Sequence, residues 1–183
     1  EIIMMKKNFF IIPLIFLLLI YSVFFYFLST KKNVDIIPSN LINKKAPIFL
    51  TNSLISDKEV DSSKYFKNEI IIINFFATWC KPCRDEHKFI QLLSEENNYK
   101  IVGINYKDDP KKALLWLKKL GNPYSEVISD NNGKLAIDWG VYGIPETFIV
   151  NKLGNISYRH VGPINKKIYK EINLKLKKIS INE

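Results

Sequence analysis

The 183-residue chain has two cysteines, three positions apart, in Trp79-Cys80-Lys81-Pro82-Cys83. Four chemistries use such a pair: a structural cross-link, a metal site, covalent haem attachment and thiol–disulfide exchange. A structural cross-link over so short a loop constrains the unfolded chain very little. A zinc site needs further ligands, and only His87 and His160 are on hand, with no second Cys pair. Haem attachment needs His directly after the second Cys, where this chain has Arg84. Exchange remains, and it asks for two unlike thiols. One forms a mixed disulfide with another protein; the other releases it.

The flanking elements supply that difference. Residues Glu69 to Phe76 form a nearly continuous, Ile-rich apolar run, which predicts a central strand buried on both faces. A helix is predicted from Pro82 to about Glu96, with Phe89, Ile90, Leu92 and Leu93 on its inner face and Pro82 suited to its first turn. Cys80 then falls at the helix N-terminus, where unsatisfied N–H groups and the helix dipole favour a thiolate. Lys81 adds positive charge, and Pro82 limits the helix start and hence the sulfur spacing. Cys80 is therefore the expected exposed nucleophile, and Cys83, one turn inside, the resolving thiol. Trp79 is expected to shield one side of the pair. Trp116 and Trp139 read as packing residues, and His87 as a surface or packing histidine.

After that helix the alternation continues. Ile101–Tyr106 predicts a strand, and Asp109 caps a helix that starts at Pro110 and stops at Gly121. Glu126–Ser129 predicts a short strand, followed by a turn at 131–133 and a short helix through Trp139. Thr147–Val150 and Ile156–His160 form a hairpin, and Asn165 to about Ile179 a closing amphipathic helix. The order β-α-β-α-β-α-β-β-α gives an α/β fold with a mixed central sheet flanked by helices.

Composition sets the frame. Apolar residues are 47% and charged residues 25%, close to globular averages, which excludes wholesale disorder. Lys and Arg exceed Asp and Glu by 27 to 18, a net charge of +9. The surplus is scattered lysine without an Arg-rich or aromatic-interleaved stripe, so nucleic acid is not an expected partner. Phe9 to Leu28 is a 20-residue run without charge, long enough as a helix to cross a bilayer. It is longer than a signal-peptide core and lacks a small-residue cleavage site, so an uncleaved anchor is expected. The short tail before it favours the N-terminus inside. The expected organisation is a tail (1–8, with Met4 or Met5 as the start), an anchor (9–28), a linker (29–45) and one domain (46–183).

The run at residues 74–84, Asn-Phe-Phe-Ala-Thr-Trp-Cys-Lys-Pro-Cys-Arg, resembles the active-site strand and helix of thioredoxin-fold proteins. Cys83-Arg84-Asp85-Glu86-His87, the Gly-Ile-Asn-Tyr-Lys-Asp-Asp of 103–109 and the Gly-Val-Tyr-Gly-Ile-Pro-Glu-Thr-Phe of 140–148 are more specific. They resemble CcmG/DsbE, the membrane-anchored thiol–disulfide interchange proteins of cytochrome c maturation. The resemblance implies a thioredoxin-like fold and a redox-active Cys80–Cys83 disulfide, with no metal or other cofactor. It makes Pro145 the cis-proline beside the dithiol, and leaves the Ile144 backbone free to pair with an extended substrate. Tyr142 either lines that groove or covers the core. Glu86 and Glu146 match acidic positions of the family's active site. Asn74 stands where thioredoxins carry a buried Asp, so proton handling falls to another group, with Glu146 the candidate. The Lys81-Pro82 dipeptide departs from the family and bears on the redox potential.

The implied partners are apocytochrome c, or the maturation factor that carries it, and a DsbD/CcdA-type membrane electron donor. The implied location is the bacterial inner membrane, single-pass, with the domain in the periplasm. Two alternatives stay open: a general oxidoreductase of the TlpA/ResA kind or an oxidant, and a non-catalytic apocytochrome-binding module.

Overall fold

The computed structural model describes residues 11–29, 41–56, 58–97 and 99–182. They fall into two units, divided after Ile37. The first contributes helix α1 (Ile11–Ser29), 19 residues with none buried and an 18-residue stretch of mean hydropathy 2.6. Its length gives a rise of about 28 Å, so it is long and apolar enough to cross a membrane. Phe9, Phe10 and residues 30–40 of the expected linker lie outside the described residues.

The second unit begins with β1 (Leu50–Asn52), β2 (Glu59–Asp61) and α2 (Ser62–Tyr65). It continues with β3 (Ile71–Phe76), α3 (Lys81–Asn97), β4 (Lys100–Tyr106), α4 (Pro110–Leu120), β5 (Glu126–Asp130) and α5 (Lys134–Asp138), and closes with β6 (Glu146–Val150), β7 (Ile156–Val161) and α6 (Lys166–Asn182). The five-stranded sheet runs β5-β4-β3-β6-β7, with β3 central, parallel to β4 and antiparallel to β6. All six β3 residues are buried, the state the Ile-rich run predicts. Helix α4 is bounded as its sequence requires. Asp109 accepts hydrogen bonds from Lys111 N and Lys112 N, Pro110 takes the first position, and Gly121 ends the helix at φ 91°.

The alternation of strand side chains divides the core in two. On one face Ile71, Ile73 and Phe75 pack with Phe148, Val150 and Trp139. On the other, Ile72 and Phe76 pack with Ile90 and Leu93 of α3, Trp116 and Leu117 of α4, and Ile172 and Leu176 of α6. Asn74 shares the second face with Ile72 and Phe76. Glu146 shares the first with Phe148 and Val150.

The mixed sheet flanked by helices is the expected fold. Three local features differ from the sequence reading. The β1–β2 pair and α2 have no predicted counterpart, because three-residue strands carry no periodicity and are held by tertiary pairing. Residues 41–45 belong to the folded unit, with Asn43 N donating to Ile156 O at 2.8 Å and Ala46 N to Gly154 O at 2.9 Å. Leu92 is 38% exposed, whereas Cys83, Glu86, Ile90 and Leu93 form the buried stripe of α3. That stripe follows helical spacing through two residues that are not hydrocarbons, which displaces the apolar face from the one the apolar residues mark.

Candidate active site

Strand β3 ends at Phe76, and four residues later Cys80 stands immediately before α3. Its backbone carbonyl accepts from Arg84 N at 3.3 Å, and its Sγ accepts from Cys83 N at 3.2 Å. The sulfur thus takes the position of an N-cap acceptor, on a backbone N–H the helix leaves without an internal partner. A thiolate there gains a charge-assisted hydrogen bond and the favourable end of the helix dipole. The two sulfurs are joined, 2.10 Å apart, with the Cα atoms separated by 5.3 Å. Cys80 is 4% and Cys83 2% exposed, so in the disulfide form exposure does not separate the two residues as the sequence reading expected. Their hydrogen bonding does.

The surface over the pair is built from both sides. Trp79 is 60% exposed, and its indole N–H donates to Lys107 O at 3.2 Å. Pro82 is exposed in the first turn of α3. The Ile144–Pro145 peptide is cis, and Ile144 O lies 3.8 Å from Cys80 Sγ. Ile144 is half-buried, whereas Tyr142 is 58% exposed, so Tyr142 sits at the surface of the loop and does not cover the core.

Beneath the dithiol lies a buried polar network. Glu86 is one turn beyond Cys83 on the same buried stripe and is 1% exposed. Its Oε1 accepts from Asn74 Nδ2 at 2.9 Å and its Oε2 from Ile164 N at 2.8 Å. Burial drives its carboxyl up to about 7, against the lowering effect of those two hydrogen bonds. Asn74 also donates to Thr147 Oγ1 at 3.1 Å and accepts from the Tyr124 hydroxyl at 2.8 Å. His87 packs edge-on against Trp116, with Nε2 2.9 Å from Gly121 O, and burial lowers its basicity.

The family follows from the sequence comparisons. The Redoxin family matches residues 42–175. Thiol:disulfide interchange protein DsbE of Escherichia coli (strain K12) is 39% identical over 171 residues, covering 91% of this chain and 92% of that protein. DsbE of Tatumella citrea is 37% identical with the same coverage. The chain belongs to the DsbE family. It is a thiol:disulfide interchange enzyme, with Cys80 and Cys83 at disulfide distance. Among solved structures, a putative DsbE from Chlorobium tepidum shares the fold, with a TM-score of 0.68, 20% identity, 75% of this chain covered and 96% of that one.

In this DsbE-family chain the two acidic positions are not equivalent. Glu146, the sequence candidate for proton handling, is wholly buried on the sheet face opposite Asn74 and the dithiol. Burial outweighs its other interactions and raises its carboxyl above the ordinary range, although Arg159 opposes this through Nε at 2.8 Å and Nη2 at 2.7 Å. Arg159 also donates to Gly140 O at 2.9 Å and lies 4.9 Å from the Tyr142 ring. Tyr142 N donates to Glu146 Oε1 at 3.3 Å. Glu146 therefore ties the 140–146 loop to Arg159 and lies on the sheet face opposite the sulfurs.

Four residues around the site had no role in the sequence reading. Thr147 and Tyr124 complete the network on Asn74. Arg159 pairs with Glu146. Asp108 clamps the turn before Cys80, accepting from Thr78 N at 2.6 Å, Thr78 Oγ1 at 2.9 Å, Asn105 Nδ2 at 3.0 Å and Asp109 N at 2.9 Å. Partial burial would raise Asp108, but these bonds outweigh it and its carboxyl lies below the usual range. Asn105 and Asp108 lie in the 103–109 motif, a signal that could have found them. Tyr124 and Arg159 carry no comparable mark.

Proposed function

We propose that this protein is a membrane-anchored periplasmic reductant that opens the disulfide of the haem-binding Cys-x-x-Cys-His segment of apocytochrome c, or of the factor that carries it. The observation that carries the reading is Cys80 Sγ held at a helix N-terminus, 3.2 Å from Cys83 N and 3.8 Å from the Ile144 carbonyl of the neighbouring loop. The resemblance of the 83–87, 103–109 and 140–148 motifs to the cytochrome c maturation proteins supports this substrate. The apolar α1 supports the anchor on the bacterial inner membrane.

In the reduced protein the Cys80 thiolate attacks one sulfur of the substrate disulfide. The S–S bond breaks, the other substrate sulfur leaves as thiolate, and a mixed disulfide forms. An extended substrate pairs with the Ile144 backbone between Trp79 and Tyr142. Cys83 then gives its proton to Glu86, which lies on the same buried helix stripe, and attacks Cys80 Sγ. The second substrate thiolate departs, so two electrons have passed to the substrate and Cys80–Cys83 is oxidised. A carboxyl balanced near neutrality both takes that proton at working pH and returns it when the pair is reduced again. Recharging needs a dithiol donor, supplied by a membrane electron transporter of the DsbD/CcdA type; no metal or other cofactor takes part.

Cys83→Ser in the full-length protein is the test. It should accumulate a mixed disulfide through Cys80 whose partner carries a Cys-x-x-Cys-His segment or is a cytochrome c maturation factor. A trapped pool of unrelated periplasmic proteins, with normal cytochrome c in a deletion strain, would refute the proposal.

A further inference from the structure

Tyr124, between α4 and β5, is a buried phenol outside the exchange steps above. It is 5% exposed, its ring is stacked on Phe76 with centroids 4.9 Å apart, and its hydroxyl donates to Asn74 Oδ1. The slot for that ring exists because residue 103 is glycine. A Cβ there would lie 2.9 Å from Tyr124 Cγ and Cδ2 and from Phe76 Cε1. An Asn amide has two orientations that exchange its oxygen and nitrogen. In the observed one, Nδ2 faces Glu86 and Thr147. In the other, Oδ1 would face the Glu86 carboxylate, acceptor against acceptor. Among the described residues Asn74 Oδ1 is the acceptor that the Tyr124 proton reaches, so the flip would also strand a buried hydroxyl proton.

We propose that Tyr124 is a positioning residue for disulfide exchange, its hydroxyl fixing the Asn74 amide so that the ionised Glu86 always meets a donor. This rests on the reading of Glu86 as the proton acceptor of Cys83. Without the hydroxyl, Asn74 turns its oxygen to Glu86 whenever Glu86 is protonated, and the acid form gains a hydrogen bond it now lacks. Burial holds the phenol protonated far above its ordinary range, so Tyr124 acts as a donor throughout the working pH range. Other titratable groups on this face include the dithiol, His87 turned to Gly121, His160 of β7 opposite Thr147 of β6, Tyr158 bonded to Glu171 of α6, Tyr99 and Tyr169. The hydrogen bonds shown by Asn74 and Glu86 run to each other and to Thr147, Tyr124 and Ile164. Arg159 and Glu146 occupy the opposite face.

The test is a carboxyl titration of Glu86 in the oxidised full-length protein, by 13C NMR, with Glu86→Gln assigning the signal. Alongside it, the rate at which dithiothreitol reduces Cys80–Cys83 is followed against pH. Tyr124→Phe should move the Glu86 midpoint and the rate inflection upward together, by about half a pH unit. Gly103→Ala, which displaces the ring but keeps the hydroxyl, should move both the same way. A merely structural tyrosine would lower the melting temperature and leave the midpoint where it was, and that result in Tyr124→Phe overturns the role given to Tyr124. A rate profile that Glu86→Gln leaves unchanged overturns the Glu86 reading and this inference with it.

Discussion

Glu86 and Glu146 are both buried carboxylates beside the same sheet, both raised by burial, and they differ in the partners that oppose it. Glu86 meets only neutral donors, the Asn74 amide and the Ile164 N–H, and is pushed to about 7. Glu146, on the other face, meets the Arg159 guanidinium through two short contacts. Neutral donors soften the loss of water without supplying countercharge, so the proton remains exchangeable. A guanidinium supplies countercharge as well and so favours the carboxylate anion against burial. Partner type, more than burial, distinguishes the two acids, and on the proposed mechanism the one without countercharge is the one that moves a proton.

The largest test of that contrast is to remove one side of the ion pair. Arg159→Met should destabilise the protein by about 3–5 kcal/mol in chemical denaturation, because it leaves a buried carboxylate without its partner. The double variant with Glu146→Gln should recover a good part of this. A loss under about 1 kcal/mol would mean that Glu146 takes a proton as readily as Glu86, and the contrast would fall.

Glu86 should instead announce itself through pH. Its folded value lies above its unfolded one, so between about pH 4.5 and 7 the folded state binds more protons than the unfolded chain. Stability should fall as pH rises through that window, by about 3 kcal/mol in all, and level off above it. Glu86→Gln should flatten the slope and slow resolution of the mixed disulfide roughly a hundredfold. Urea titrations at a series of pH values, with rapid-quench trapping of the mixed disulfide, measure both. A slope that survives the substitution would assign the titration to another group.

Asp108 sharpens the comparison from a third position, partly buried and surrounded by neutral donors that outnumber those on Glu86. Its carboxyl is lowered, so its contribution to stability is full above the ordinary carboxylate range and is lost as pH falls through the folded value. Asp108→Asn should cost about 1–3 kcal/mol and reduce the rate of Cys80 alkylation by loosening the Thr78–Cys80 turn. An unchanged alkylation rate would separate the clamp from the nucleophile.

The smallest effect on stability should come from the exposed aromatic rim. Trp79→Ala and Tyr142→Ala should change stability by under about 1 kcal/mol while raising KM for a disulfide peptide several-fold. A fall in kcat with KM unchanged would remove both side chains from the groove.

The sequence was most legible where chemistry and local structure coincide. The Cys80/Cys83 spacing, the Ile-rich strand before it and Pro82 after it place a dithiol at a helix start, and the Asp109, Pro110 and Gly121 signals bound α4 almost to the residue. These are consequences of covalent spacing and of hydrogen bonds within a few positions. Glu86 and Glu146 could be named as acidic positions by resemblance, but their difference could not be read. It depends on which face of β3 and β6 each side chain meets, and on Ile164 and Arg159, 78 and 13 positions away. Such partners are set by strand register and by the return of α6 to the sheet. The chain alone therefore determined the reacting atoms and the elements that carry them; tertiary packing decided the charge environment of the acids around them, because desolvation and countercharge arise only when distant segments close over a group.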